Sequence, residues 1–251
     1  MQKRGQLTVF IIVGFILIAI VASLIFILSQ EDKITNSTEV IDLVDITHYV
    51  EQCLKQTTKE SLLDISSKGG YFILPEKATK DLTENVPILI EDGKTFFFSN
   101  SAVSKEISLY VDSLVGLCLK DFAIFEDQGY FVTQNPPQTE STLTPEFLIV
   151  ETTLPLKITK NQEATEISKF QVEIPIKRFY QILTSSEKIV LAIKDNLCLS
   201  CISKITSENN LFIETMPLEK GLYLFEIRDS NYFINNQEYE FRFAAKYELE
   251  E

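Results

Sequence analysis

The amino-acid sequence predicts an α+β protein: a single N-terminal transmembrane helix, followed by an extracytoplasmic domain of antiparallel strands with segregated helices. Three observations predict this fold class. The run from Leu7 to Leu28 contains no charged side chain. From Val40 onward, apolar residues recur at the three-and-four spacing of a helix, whereas Lys169 to Ile174 alternate between polar and apolar as a half-buried strand does.

The apolar run is long enough to cross a membrane. About 22 helical residues rise about 33 Å, and a hydrocarbon core is about 30 Å thick. Lys3 and Arg4 precede the run, so the positive-inside rule places the N-terminus in the cytoplasm and the rest outside. A cleaved secretory signal is the alternative, but its apolar core is usually about 7–15 residues and ends in a small-x-small site.

The predicted organisation has five parts. They are a cytoplasmic leader (1–6), the transmembrane helix (7–29), a polar stalk (30–39), a helix–strand region with an internal duplication (40–134) and a β-rich region with one broken helix (145–251).

The N-terminus carries a further signal. Lys3-Arg4-Gly5-Gln6-Leu7-Thr8-Val9-Phe10 resembles the archaeal class III, or prepilin-like, signal. The resemblance implies cleavage between Gly5 and Gln6, which leaves the apolar helix attached. That family usually has Glu at the fifth position after the cut. Phe10 stands there in this chain. Without a carboxylate at this position, we expect the helix to remain in the lipid bilayer rather than to assemble into a filament.

The wider chain resembles a group of archaeal membrane-anchored surface proteins. The shared features are the N-terminus, the segment Tyr49-Val50-Glu51-Gln52-Cys53-Leu54 and the later Gly69-Gly70-Tyr71. The resemblance implies a location at the cell surface and brings no reaction with it.

Charge narrows the choice of partners. The chain has 36 acidic and 23 basic residues, a formal net charge of −13. Nucleic acid demands a basic face and is therefore excluded as a partner. An acidic excess usually serves solubility. A cation-binding surface is the alternative, although no Asp-x-Asp-x-Asp-Gly calcium loop is present. Asn36-Ser37-Thr38 is a sequon that predicts N-glycosylation at Asn36.

The same sequence pattern occurs twice in the chain: a Tyr and a Cys, then a Gly-Tyr pair and an aromatic segment. Tyr49 and Cys53 lie in a predicted helix that stops at Gly69-Gly70, before a predicted strand from Tyr71 to Leu74. Tyr110 and Cys118 precede Gly129-Tyr130 and a second aromatic segment in the same order. We interpret this as a weak duplication of a helix–strand unit. Chance similarity is the alternative, because the gap between Tyr and Cys differs.

Turn signals and alternation predict the remaining elements. Asp92-Gly93 indicates a hairpin turn, and Pro155 and Pro175 are expected at sheet edges or strand ends. The segments are a loop and boundary (Gln134–Pro145), two alternating strands (Glu146–Lys160 and Glu166–Ile176), a broken helix (Arg178–Ser207) and two closing strands (Leu222–Ile227 and Tyr239–Tyr247) joined at Asp229-Ser230-Asn231.

The four cysteines are the main candidates for chemistry. An even number outside the membrane favours disulfides, with three possible pairings. The duplication favours Cys53 with Cys118, which leaves Cys198 and Cys201 paired locally or free. A thioredoxin-like redox site requires a CxxC at a helix N-terminus within a βαβ fold, whereas this motif falls in a predicted helical stretch. A zinc site would need all four cysteines to converge, or His48 as a ligand.

No motif of a known catalytic or cofactor site is present, so no enzyme, cofactor or metal is expected. The leading hypothesis is a single-pass membrane protein with a non-enzymatic structural or interaction role at the cell surface. Its expected partners are the lipid bilayer and other envelope proteins or glycans. The alternatives are a pilin-like subunit of a surface filament and a membrane-tethered thiol–disulfide oxidoreductase using Cys198 and Cys201.

Overall fold

The computed structural model describes residues 38–80, 85–97, 99–219 and 221–248. The predicted leader, the predicted transmembrane helix (7–29), the Gly5–Gln6 cleavage site and Asn36 lie outside these ranges. Within the described ranges, no helix has both the length and the apolar character that crossing a bilayer requires. Residues from Tyr49 onward form one compact unit, and the described residues before Tyr49 belong to another.

The α+β prediction is confirmed, and so is the broken helix, which is the pair α4 and α5. The helices are α1 (Thr38–Ser67), α2 (Asn100–Leu119), a 3-10 turn (Lys120–Phe122), α3 (Ala123–Glu126), α4 (Lys177–Ala192) and α5 (Leu199–Glu208). The strands are β1 (Ile88–Glu91), β2 (Lys94–Thr95), β3 (Phe131–Gln134), β4 (Gln138–Leu143), β5 (Phe147–Lys160), β6 (Glu163–Pro175), β7 (Phe212–Glu219), β8 (Leu222–Ile234) and β9 (Gln237–Lys246).

The first sheet has five strands in the order β2-β1-β9-β8-β7. Its neighbours are antiparallel except for β1 and β9, which are parallel, with Ile88 opposite Ala244. A purely antiparallel sheet was therefore a wrong expectation. Because a long stretch of chain separates β1 from β9, no tight turn forces them to run in opposite directions.

Alternation along β9 gives this sheet one apolar face. Tyr239, Phe241 and Phe243 are fully buried, whereas Glu240 and Arg242 between them are partly exposed. The Tyr239 hydroxyl lies 2.8 Å from the Ser66 hydroxyl of α1, and its ring meets the edge of Phe179 in α4. The described part of α1 from Tyr49 onward and α4 therefore cover the apolar face. Burial also raises the pKa of Tyr239 above its ordinary range.

The second sheet is organised around β5. One edge of β5 pairs with β3 and β4 in succession, and the other edge pairs with β6. The prediction of a loop across Gln134–Pro145 is wrong, because that segment contains β4. Its partners, β5 and helix α2, lie elsewhere in the sequence, so the stabilising contacts leave no local pattern.

Two prolines occupy different positions in this sheet. Pro175 ends β6, as expected. Pro155 lies inside β5, where the pairing with β6 shifts register between Thr153 and Leu156, so its expected edge position is wrong. At this irregularity the strand pairing requires no N–H donor from Pro155. The carbonyl of Pro155 accepts a hydrogen bond from the Asn135 N–H at 3.0 Å.

The first proposed helix–strand copy lacks its strand. Tyr71 to Leu74 form no regular structure, because the Phe72 N–H donates to the carboxylate of Glu106 at 2.8 Å rather than to a strand. The turn before it is nevertheless fixed. Gly69 has a φ of +58°, and a Cβ there would lie 2.7 Å from the carbonyl oxygen of Arg242. The first helix therefore ends in close contact with β9.

The last hairpin turns later than predicted. β8 continues through an irregularity after Asp229, and the chain reverses at Asn235-Asn236. The Asp229 carboxylate pairs with the guanidinium of Arg178 and accepts a hydrogen bond from the Asn231 N–H at 2.9 Å. These bonds hold the Asp229–Asn231 segment within β8 as a bulge.

Candidate functional site

The prediction of disulfide bonds is confirmed, since all four cysteines are described and none is free. Cys53 bonds to Cys118, with Cα atoms 5.5 Å apart, and Cys198 bonds to Cys201, with Cα atoms 5.3 Å apart. The first is the pairing that the internal similarity favoured, and the second is one of the two outcomes left open for Cys198 and Cys201. The two bonds lie in different environments.

The Cys53–Cys118 bond joins helices α1 and α2 inside the fold. Cys53 is 2% exposed. Beside it, the Tyr49 hydroxyl donates toward the carbonyl of Cys118 at 3.0 Å, and the Tyr49 ring meets the edge of Phe125 at 5.4 Å. Cys118 is half-buried. The bond therefore packs beside aromatic rings and stabilises the fold, with its Cys53 side closed to a reactant.

The Cys198–Cys201 bond lies at the start of a helix. Cys198 is the N-terminal cap of α5, and its Sγ accepts a hydrogen bond from the Cys201 N–H at 3.2 Å. The motif therefore lies at the N-terminus of the second helix of the predicted broken helix rather than in the interior of a helix. Helix α4 ends at Ala192 and α5 begins at Leu199. The polar segment Lys194-Asp195-Asn196 was the signal for this break.

The segment around this disulfide is fixed from both sides. Before it, the carbonyl of Ile193 accepts a hydrogen bond from the Tyr247 hydroxyl at 2.9 Å. After it, Ile202 is buried, and its N–H donates to the carbonyl of Cys198 at 3.1 Å. The two sulfur atoms are therefore held at a defined place on the surface, with Cys198 and Cys201 each half-buried.

A second accessible arrangement lies where α2 packs on β4. Ser104, Ser108 and Asp112 recur at four-residue spacing and so share one face of α2. Opposite them are Thr139 and Ser141 of β4, with the Ser108 and Ser141 hydroxyl oxygens 3.0 Å apart. A contact between a helix and a strand is ordinarily apolar, so this row of polar side chains is unusual.

Asp112 is the central residue of that contact. Its Oδ1 is buried and has no hydrogen-bond partner among the described residues. Burial raises the pKa of the Asp112 carboxyl, and hydrogen bonds from the Thr139 side chain and backbone lower it again in part. The Thr139 hydroxyl in turn lies 3.0 Å from that of Thr152 on β5.

The Asp112 carboxylate borders open space on either side. One depression, which we name the Asp112 groove, has a volume of about 650 Å³. Its lining includes Asp112, Gln138, Thr139, Thr152, Lys169 and Gln171. A neighbouring depression of about 670 Å³ contains Ser104, Ser108 and Leu109. Volumes of this size suit small organic ligands.

The charges of the Asp112 groove restrict its ligands. Asp112 places a carboxylate on the helix-covered face, while alternation along β4, β5 and β6 directs the side chains of Glu140, Glu151 and Lys169 to the opposite face of the sheet. Anionic ligands such as phosphate are therefore disfavoured. Within the described ranges, no group of three or more His, Cys, Asp or Glu residues could hold a metal ion, and His48 lies on an exposed side of α1.

Sequence reasoning missed the Asp112 groove because it missed β4. The available signal was the helical spacing of Ser104, Ser108 and Asp112, which places polar residues on one face of a largely apolar helix. Among the residues that the structure describes, the Asp112 groove and the Cys198–Cys201 disulfide are the two arrangements considered as functional sites. Comparison with protein-family models, with curated proteins and with solved structures finds no match.

Proposed function

We propose that this chain is a single-pass membrane-anchored protein whose extracytoplasmic domain binds neutral, hydroxyl-rich glycans of the cell envelope in the Asp112 groove. The run from Leu7 to Leu28 provides the anchor. The observation that carries the binding role is the Asp112 carboxylate beside the Thr139 and Thr152 hydroxyls, in the lining of a groove of about 650 Å³.

Cysteine usage supports the location. Every cysteine is in a disulfide, and such bonds persist in oxidising surroundings outside the cytoplasm. The acidic composition supports it as well, because a net charge of −13 keeps a surface-exposed domain soluble. Both observations agree with the charge asymmetry at the ends of the apolar run.

The chemistry of the groove supports a glycan. Sugar hydroxyls both donate and accept hydrogen bonds, and the lining offers both kinds of partner. The Asp112 carboxylate accepts, and the hydroxyls of Thr139 and Thr152, which lie on the same face of the sheet as Asp112, both donate and accept. A hydrogen bond to a charged group contributes about 1.5–3 kcal/mol, which is enough to make Asp112 the dominant contact.

The test uses the full-length protein in lipid nanodiscs and an array of neutral oligosaccharides. We expect binding by the wild type, and a loss of affinity of at least about tenfold in Asp112→Asn and Thr139→Val. Thr165→Val is the matched control, because Thr165 is an exposed strand residue outside the groove lining. Carbonate washing of membranes should leave the protein in the pellet.

Other results would reject the proposal. Release of the protein by carbonate would remove the anchor. Failure of every neutral oligosaccharide to bind, or equal binding by the wild type and Asp112→Asn, would remove the glycan site.

A further inference from the structure

We propose that the Cys198–Cys201 disulfide is a redox-active centre that exchanges disulfide bonds with dithiols of partner proteins, and that Cys198 forms the mixed disulfide. This inference is independent of glycan binding. It rests on the position of the bond at the start of α5, on its access to solvent and on the bonds that hold it.

The start of α5 stabilises negative charge on one sulfur atom. The Sγ of Cys198 accepts the Cys201 N–H at 3.2 Å and lies 3.5 Å from the Ser200 hydroxyl. Helix α5 runs for 10 residues from Leu199, so its positive end also faces Cys198. Thiolates at helix N-termini have lowered pKa values, and a low pKa makes Cys198 the better leaving group.

Access separates this disulfide from the other one. Cys198 and Cys201 are both half-buried, and Leu199 between them is 62% exposed. In the other disulfide, Cys118 is half-buried and Cys53 is 2% exposed. An exposed leucine beside the sulfur atoms offers an apolar contact to an unfolded or extended polypeptide. The reactive thiols of a protein substrate can therefore approach Cys198 but not Cys53.

The short loop limits what the bond contributes to stability. Loop-closure entropy grows with the logarithm of the loop length, so a bond between cysteines 3 positions apart contributes about half as much as the Cys53–Cys118 bond. The local fold does not depend on it. Ile202 is buried and its N–H bonds to the Cys198 carbonyl, while the Ile193 carbonyl is held by Tyr247.

The exchange proceeds in two balanced steps. A substrate thiolate attacks the Sγ of Cys198, forms a mixed disulfide and expels the thiolate of Cys201, which takes up a proton. The second substrate thiolate then attacks the substrate sulfur of that mixed disulfide and expels Cys198 as a thiolate. The substrate dithiol loses two electrons and two protons and becomes a disulfide. Cys198 and Cys201 gain them, and a small-molecule disulfide such as oxidised glutathione reoxidises the pair.

The first experiment requires no variant. Full-length protein in nanodiscs is mixed with a synthetic peptide that contains two cysteines, with oxidised glutathione as the final oxidant. We expect the protein to accelerate peptide oxidation at least about tenfold over glutathione alone. Mass spectrometry after a single turnover should show free thiols at Cys198 and Cys201 and none at Cys53 and Cys118. An unchanged oxidation rate would overturn the proposal.

The second experiment separates the roles of the two sulfur atoms. In Cys201→Ser, the free thiol of Cys198 should react with the oxidised peptide at least about tenfold faster than Cys201 does in the matched variant Cys198→Ser. Ser200→Ala in the Cys201→Ser background should slow Cys198, because one neighbour of its sulfur is lost. Equal rates for the two single thiols would reject the assignment of Cys198.

Discussion

Asp112 is a carboxylate between a helix and a strand, where an apolar side chain would stabilise the fold more. Burial raises the pKa of its carboxyl, which means that folding disfavours the charged form relative to the unfolded chain. The stability that such a group contributes is fully present below its unfolded pKa of about 3.9 and is lost as pH rises through its folded pKa. At neutral pH, Asp112 therefore destabilises the protein.

The destabilisation of the folded state by the Asp112 charge predicts a stabilising substitution. Asp112→Asn keeps the shape of the side chain and removes the charge, so the variant should unfold at a higher temperature than the wild type at pH 7. The difference should shrink as pH falls toward about 4, where the wild-type carboxyl takes up its proton. Thermal unfolding of both proteins across this pH range measures it.

The control is Asp127→Asn. Asp127 is exposed, so water hydrates its charge in the folded and unfolded chains alike. Its replacement measures what the loss of an exposed Asp charge does by itself. If the Asp112 variant behaved in the same way, the desolvation of Asp112 would be contradicted. Gain of stability together with loss of glycan binding would mark Asp112 as a residue kept for its ligand.

Two-residue turns join the long antiparallel strands, and their residues adopt the left-handed backbone that such turns require. Asn235 and Asn236 between β8 and β9 have φ values of 50° and 63°. Asn161 and Gln162 between β5 and β6 have 49° and 74°. Asparagine is enriched in the left-handed region of φ and ψ, whereas glutamine is not.

The turn between β5 and β6 should therefore improve with glycine. Gln162→Gly removes the steric cost of a Cβ at φ 74° and should raise the free energy of unfolding by about 0.5–1 kcal/mol, after the entropic cost of glycine. Asn236→Gly is the matched change in the other hairpin, and its gain should be smaller. Urea unfolding of both variants tests this ranking, and a larger gain for Asn236→Gly would contradict it.

The elements differ in how far the sequence could predict them. The β5–β6 hairpin was predictable because each strand alternates and Asn161 marks the turn. β4 was not, because Gln138 to Leu143 is a polar segment after Pro136-Pro137, and its stability comes from pairing with β5 and packing on α2. The strand expected at Tyr71 is absent because a side chain, Glu106, takes the Phe72 N–H. The Asp112 groove depends on β4 and was missed for the same reason. The order of features along the chain favoured the Cys53–Cys118 pairing and left Cys198 and Cys201 either paired or free.

Across the whole molecule, the two disulfides differ in the length of chain they close. Cys53 and Cys118 are 65 positions apart, and Cys198 and Cys201 are 3 apart. Loop-closure entropy values the first bond at about 4 kcal/mol and the second at about 2 kcal/mol. The long-range bond is therefore the one on which the fold depends.

The matching prediction compares two double variants. Cys53→Ala with Cys118→Ala should lower the free energy of unfolding by about 4 kcal/mol, and Cys198→Ala with Cys201→Ala by about 2 kcal/mol at most. Denaturant unfolding under non-reducing conditions measures both. Equal losses would show that the short-range bond stabilises the fold more than its loop length allows.

The Cys53–Cys118 bond also has a mechanical consequence. A pull applied along the backbone crosses from one helix to the other through the two sulfur atoms, so the residues between them carry no tension. Roughly 64 residues are shielded, and the stretched chain is shorter by roughly 220 Å than it would be with the bond reduced. For a protein tethered at one end, this cross-link keeps most of α2 out of the path of the force, whereas β4, which follows Cys118 in the chain, remains in it.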